Sequence, residues 1–296
     1  MTGKARAEGI LLGITVIWGT TFALGKVVLE DVTPLQMIAF RFTFCTILLL
    51  VLFFRSTFPI RLDQAMKGGL LGLFLFFGFV VQTIGLTLTT ASKSAFITGL
   101  TVVFVPLLQI IVNRRPLTFG NILGILVVTL GLWFLTSPEG SSFNAGDALT
   151  LACAVMFAVY MVYLDVVSRI MTAVQLTFVQ VGTNALLAIG AMSIFESGPI
   201  HVSTFSWLGL VYLALFATFI TTFMQTKYQK DTTPTRAAVI FTMEPVFAVI
   251  FAAIFLGEKQ GILGIIGGGV IITGVLLSEL SDSIPLLNRS FGFTES

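Results

Sequence analysis

Two side chains that ought to avoid hydrocarbon sit deep in apolar runs. They are Arg41, within residues 34–54, and Glu244, within 235–256. An ionisable group at such depth is costly and by default marks a functional site. Arg41 falls about seven residues into its run, roughly 10 Å below the surface. Its fork of donors suits capture of a carboxylate. The competing reading is a structural arginine that bonds helix ends or snorkels outward. Glu244 lies about nine residues in, near mid-depth. Kept protonated by its surroundings, it could carry a proton from one side to the other. Alternatively it bonds backbone groups freed by the neighbouring Pro245. Lys26 closes the first run one turn from Glu30 and reads as a surface ion pair.

Neutral polar and aromatic groups accompany these charges. Trp18 sits roughly 13 Å into its run, too deep for an interfacial belt. Trp133 and Trp207 fall near the ends of theirs and fit that belt. Gln82, Asn184 and Gln225 cannot satisfy their amides on their own helix, so they should face inward. Thr20, Thr21, Thr83, Thr98, Thr218, Thr222 and Thr242 are weaker candidates, because threonine often back-bonds to its own helix. Tyr160 and Tyr163 are aromatic candidates. The expected substrate-lining set is Trp18, Thr21, Arg41, Gln82, Thr98, Tyr160, Thr218 and Gln225, with Glu244 for proton coupling. Pro106 and Pro245 each remove a helix hydrogen bond and read as hinges. Hydrolytic chemistry would want a nucleophile with a histidine base, or metal ligands. The one histidine, His201, stands beside Pro199 in a short connection. No catalytic or metal site and no cofactor are expected. Cys45 and Cys153 read as small buried hydrophobes.

The elements that must hold these groups follow from composition. The 296 residues are 56% hydrophobic and 10% charged, with 29 Phe and 28 Gly, and mean hydropathy is +1.02. A soluble domain carries roughly 25% charged residues, so the chain calls for lipid as its solvent. No basic run suggests nucleic acid, and the first apolar run lacks a signal-peptide cleavage pattern. Breaks at charges, Pro and Gly give spans near 9–29, 34–54, 67–88, 92–112, 119–136, 146–164, 173–195, 205–226, 235–256 and 261–279. Runs of about 20 residues without alternation mean helices. The expected fold is therefore an all-α polytopic membrane protein with ten transmembrane helices.

With the N-terminus cytoplasmic, twelve basic residues fall inside: Lys4, Arg6, Arg55, Arg61, Lys67, Arg114, Arg115, Arg169, Lys227, Lys230, Arg236 and Arg289. Two fall outside, Lys93 and Lys259. That bias places both termini in the cytoplasm.

Sliding the chain by 139 residues brings Thr33 onto Thr172, Gln36 onto Gln175, Phe77 onto Phe216, Thr83 onto Thr222, Thr87 onto Thr226 and Pro106 onto Pro245. Gly124 and Gly131 match Gly267 and Gly274 at a shift of 143. The four extra residues are expected around Gly257, Glu258 and Lys259. This gives a first repeat over 1–138, a second over 139–280 and a cytoplasmic tail over 281–296. Five spans each make the repeats inverted, the arrangement of transporters with a midplane site between the halves. GxxxG spacings at Gly9/Gly13, Gly68/Gly72, Gly120/Gly124 and Gly264/Gly268 allow close helix packing.

Several strings resemble the EamA type of the drug/metabolite transporter superfamily over about residues 8–280. They are Trp18-Gly19, Ala39-Phe40-Arg41-Phe42, Pro106-Leu107, Glu244-Pro245-Val246-Phe247-Ala248 and Leu256-Gly257-Glu258, followed by Gly267 and Gly274. Asn113-Arg114-Arg115-Pro116 departs from the Gly-Glu pair usual at its place. The resemblance implies ten spans as a 5+5 repeat. It also implies, through the bacterial exporters of aromatic amino acids, a monomeric inner-membrane exporter whose partners are a small-molecule substrate and the bilayer. An arginine at the position of Arg41 across members with different substrates favours its structural reading. Other solutes remain alternatives: a drug, a sugar phosphate or a nucleotide sugar. So do a channel and a membrane-embedded structural protein, although no filter motif is visible. The shortage of cations at depth argues against phosphorylated solutes.

Overall fold

The computed structural model describes residues 3–113, 118–136, 143–196, 202–258 and 261–280. His201, Arg114, Arg115, Glu139, Lys259 and the tail 281–296 lie outside the described residues. The described chain is helical throughout: α1 Gly3–Val28, α2 Pro34–Thr57, α3 Leu62–Leu88, α4 Ala91–Val112, α5 Phe119–Thr136, α6 Ala145–Val167, α7 Ala173–Phe195, α8 Thr204–Asp231, α9 Pro234–Leu256 and α10 Ile262–Leu280. Eight of them are long and apolar enough to cross a membrane. The apolar stretches of α5 and α10, Phe119–Phe134 and Ile266–Ser278, are shorter. The 18 residues of α5 extend about 27 Å at the usual rise, close to the hydrocarbon thickness. The chain is a multi-pass membrane protein.

Caps start and stop the helices. Thr33 and Thr172 open α2 and α7 with capping boxes to Gln36 and Gln175. Thr90 and Thr233 cap α4 and α9. Asp31, between α1 and α2, accepts from Ser203 N at 3.0 Å. Hydrogen bonds from the Ser203 and Ser206 side chains hold its carboxyl below the usual aspartate range.

Four of the described helices are interrupted, α2 only by a kink at Phe53 (φ −129°, ψ 23°). α4 breaks at Leu100, between Ala91–Gly99 and Thr101–Asn113. α9 breaks at Thr242, between Pro234–Phe241 and Met243–Leu256. α8 contains a π-helical turn, Leu215–Ile220. Caps at equivalent places correct the register expected from sequence. The shift is 139 at Thr33/Thr172, 142 at Arg61/Ser203 and 143 at Thr90/Thr233. The change therefore falls before α9, not after it. The step from Phe58 to Arg61 is four residues shorter than that from Glu196 to Ser203. The step from Arg61 to Thr89 is one residue shorter than that from Ser203 to Thr232, and the longer one contains the π turn. Pro106 and Pro245 are accordingly not at matching places. The breaks precede them by six and three residues. Pro245 sits in the first turn of its half-helix, where its missing N–H costs little.

The main packing contacts have counterparts when α1–α5 are exchanged for α6–α10. α3 on α6 corresponds to α8 on α1, α4 on α6 to α9 on α1, and α3 on α7 to α8 on α2. The pairs α2–α7, α4–α9 and α5–α10 map onto themselves. α5 and α10 run antiparallel in close contact. A Cβ on Gly131 would lie 2.9 Å from Gly267 O, and one on Gly274 would lie 3.0 Å from Gly124 O. Gly68 and Gly72 likewise face Val179 and Gln180 on α7, whereas Gly9 and Gly13 meet nothing within 4 Å.

The N-termini of α4 and α9 are held in parallel ways. Asp147, on α6, pairs with Lys93 and accepts from Thr89 at 2.8 Å. Glu8, on α1, pairs with Arg236 at 3.3 Å and accepts from Thr232 at 3.0 Å. Two further clasps join α4 to α9. Glu258, just past α9, accepts from Ala91 N at 3.2 Å and from both the N–H and hydroxyl of Ser92. Gln109, late in α4, accepts from Thr235 N at 3.1 Å and from the Thr235 hydroxyl at 2.7 Å. Ser92 and Thr235 are both the second residue of a capped helix. The clasps therefore close the two opposite ends of the antiparallel α4–α9 pair.

Candidate functional site

The breaks of α4 and α9 open beside one central cavity. Seven helices line it: α1, α2, α3, α4, α6, α8 and α9. Its aromatic wall holds Trp18, Phe79, Phe157, Tyr160 and Phe241. Trp18 meets Phe241 edge to face at 5.0 Å between centroids, and Phe79 meets Phe157 at 5.5 Å. Polar groups are few: Thr21, Arg41, Gln82, Thr98, Thr101, Thr222, Gln225 and Glu244. Under the corrected register these come from like positions of the two halves. Trp18 corresponds to Phe157 and Thr21 to Tyr160 at 139, and Phe79 to Thr222 and Gln82 to Gln225 at 143.

Most neutral polar groups are already engaged. Gln82 Nε2 donates to Thr98 Oγ1 at 3.2 Å. Gln225 Nε2 donates to Gln229 Oε1 at 2.9 Å, and Gln229 Nε2 reaches Met161 O on α6 at 2.8 Å. Tyr160 turns its hydroxyl away, donating to Gln180 at 3.0 Å, so it offers the cavity its ring. Thr21 back-bonds to Trp18 O at 2.7 Å. The hydroxyl of Thr101 donates to Thr98 O at the α4 break and to Ala154 O on α6.

Arg41 is 5% exposed. Its Nε donates to Thr218 Oγ1 at 3.0 Å, and its guanidinium lies 5.1 Å from the Phe79 ring centroid. Thr218 is itself fixed by the π turn, donating to Leu213 O five residues back at 2.9 Å. Glu244, one residue before Pro245, also lines the cavity and has no hydrogen bond or ion pair to any described residue.

Of the residues expected at the site, Trp18, Thr21, Arg41, Gln82, Thr98, Tyr160, Gln225 and Glu244 line this one cavity. Thr218 stands behind it, as the partner of Arg41. Pro106 and Pro245 are outside the lining, although Pro245 packs on Gly99 at the α4 break. Asn184 is buried without a partner for either amide atom among the described residues, and it is not in the cavity lining. The phenylalanines of the wall carry no mark that separates them in sequence from those facing lipid.

The EamA-like transporter family matches this sequence over residues 6–137 and again over 144–280. The chain belongs to the EamA-like transporter family. An uncharacterized transporter of Archaeoglobus fulgidus is 30% identical over 269 residues, 90% of this chain and 83% of that relative. YyaM of Bacillus subtilis, an uncharacterized transporter, is 26% identical over 94% of this chain and 95% of its own length. YedA of Escherichia coli, an uncharacterized inner membrane transporter, is 25% identical over 92% and 90%. A crystal structure 18% identical in sequence superposes with a TM-score of 0.77 over 94% of this chain and 97% of that one. At that identity it bears on fold alone. Together the family and its relatives make this chain a membrane transporter.

Proposed function

We propose that the chain is a secondary transporter exporting amino acids, aromatic or large neutral, across a bacterial inner membrane by alternating access. In this reading residues 1–138 and 139–280 are inverted repeats of five spans each, with both termini cytoplasmic. The observation that carries it is the pair of clasps: Glu258 on the α4 N-terminus and Gln109 on the α9 N-terminus, at opposite ends of the helix pair whose middle lines the cavity. Matching closures at opposite ends are what alternating access needs, since one must open while the other holds. The contact pattern shared by the halves, the double family match and the antiparallel α5–α10 pair support the repeat. The basic bias supports the orientation.

The aromatic wall and neutral donors support an amphipathic zwitterion as cargo. Arg41 is the single basic residue in the lining, so a multiply anionic solute would lose its hydration with little return. Proteoliposomes loaded with labelled phenylalanine, threonine or a sugar phosphate test this reading, with and without a proton gradient. Phenylalanine efflux should lead, and preference for the sugar phosphate would overturn the assignment. Glu244→Gln should abolish gradient-driven export, while phenylalanine exchange persists at saturating phenylalanine. Equal survival of both would leave Glu244 without a coupling role.

A further inference from the structure

Arg41 and Glu244 line the same cavity, on α2 and α9, yet form no ion pair. Each is costly within a membrane, and contact would neutralise both. The fold keeps them apart. Arg41 is held back on α2 by its bond to Thr218 and the face of Phe79. Glu244 is fixed at the start of a half-helix by the break at Thr242. Thr218 takes only Nε, so the two terminal nitrogens of the guanidinium, which form a bidentate fork, donate to no described residue. The carboxylate of Glu244 is likewise unspent. The same lining carries the Trp18–Phe241 and Phe79–Phe157 ring pairs.

We propose that Arg41 and Glu244 are the two poles of a dipolar-substrate site. Arg41 takes the substrate carboxylate, Glu244 takes its ammonium, and the apolar side chain packs against the aromatic wall. This rests on the transporter reading and adds to it the residues that select the substrate. A solute bearing only one of the two charges leaves the opposite pole buried and unpaired, which is where polar sites discriminate most strongly. The aromatic wall alone would admit amines and acids equally.

The test uses phenylalanine, phenethylamine, which lacks the carboxylate, and 3-phenylpropionate, which lacks the ammonium. Binding is read as ligand-induced thermal stabilisation of the full chain in detergent, and transport as exchange in liposomes. Wild type should favour phenylalanine over each analogue by on the order of a hundredfold. Arg41→Gln should erase discrimination against phenethylamine and keep that against phenylpropionate, and Glu244→Gln should do the reverse. Wild-type binding of all three within about threefold, or no binding of phenylalanine, would overturn the proposal. So would variants that weaken all three ligands in equal proportion. The wild-type comparison decides even if Arg41→Gln fails to fold. Discrimination in binding without any exchange would instead refute transport while leaving the dipolar site standing. Exchange without discrimination would do the opposite.

Discussion

Thr218 never reaches the cavity, yet its hydroxyl accepts the Arg41 Nε proton and its own proton goes to Leu213 O. Thr218→Val keeps the shape and leaves a buried charged donor unpaired, a cost of about 1–3 kcal/mol. The melting temperature in detergent should fall, and Thr218→Ser should restore it. An unchanged melting temperature for the valine variant would mean that Arg41 is held by other contacts. Trp18→Ala removes one half of the Trp18–Phe241 pair, worth about 0.5–1.5 kcal/mol beyond lost area. Phenylalanine transport should drop relative to threonine transport, and equal retention of both would remove Trp18 from the recognition surface. Arg41, Glu244 and Trp18 could be picked from sequence because charge or indole at depth is conspicuous in an apolar run. Phe79, Phe157 and Phe241 could not, because one Phe among 29 looks the same facing lipid or facing a cavity.

At the scale of elements, sequence carries the helices and their caps but not their interruptions. Thr33 and Thr172 announce α2 and α7 through their capping boxes. The π turn of α8 and the longer step into it, less the one residue by which α7 is shorter than α2, move the register by four residues in all, so the coincident prolines suggest hinges at equivalent places that the helix breaks do not occupy. The clasps depend on tertiary contact and have no local signature. Glu258→Ala should raise amide hydrogen exchange at Ala91 and Ser92 by about tenfold, the loss of roughly one net hydrogen bond. Thr235 should stay protected. Gln109→Ala should loosen Thr235 and spare Ser92. Simultaneous loosening of both ends by either variant would refute independent closures. The α5–α10 contact has no room for a side chain, since a Cβ on Gly131 would lie 2.7 Å from Ile271 N. Gly131→Val should therefore lower the yield of folded protein sharply, whereas Gly9→Ala, facing open space, should not.

For the whole molecule the open quantity is the number of crossings, and α5 decides it. Eight helices meet the length and hydropathy that crossing requires, and in α5 and α10 the described apolar stretches, Phe119–Phe134 and Ile266–Ser278, are shorter. If α5 crosses, the chain before it and the chain after it lie on opposite faces. Without that crossing they share one face, and the second half would enter the membrane in the same sense as the first. Three features favour crossing. About 27 Å of helix nearly spans the hydrocarbon, and a small mismatch is absorbed cheaply. The close antiparallel glycine contact with α10 gives α5 a partner helix at both Gly124 and Gly131. The charge bias also favours it, because Arg114 and Arg115 precede α5, whereas residues 137–144 hold one charge, Glu139, and it is acidic. Cytoplasmic loops collect Arg and Lys, so the chain before α5 should stay inside and the chain after it should lie outside. Reporter fusions at Arg114 and Glu139, one active only in the cytoplasm and one only beyond the membrane, read this directly. The fusion at Arg114 should report inside and that at Glu139 outside. The same side for both would remove the α5 crossing, and with it the inverted halves on which opposed gates depend.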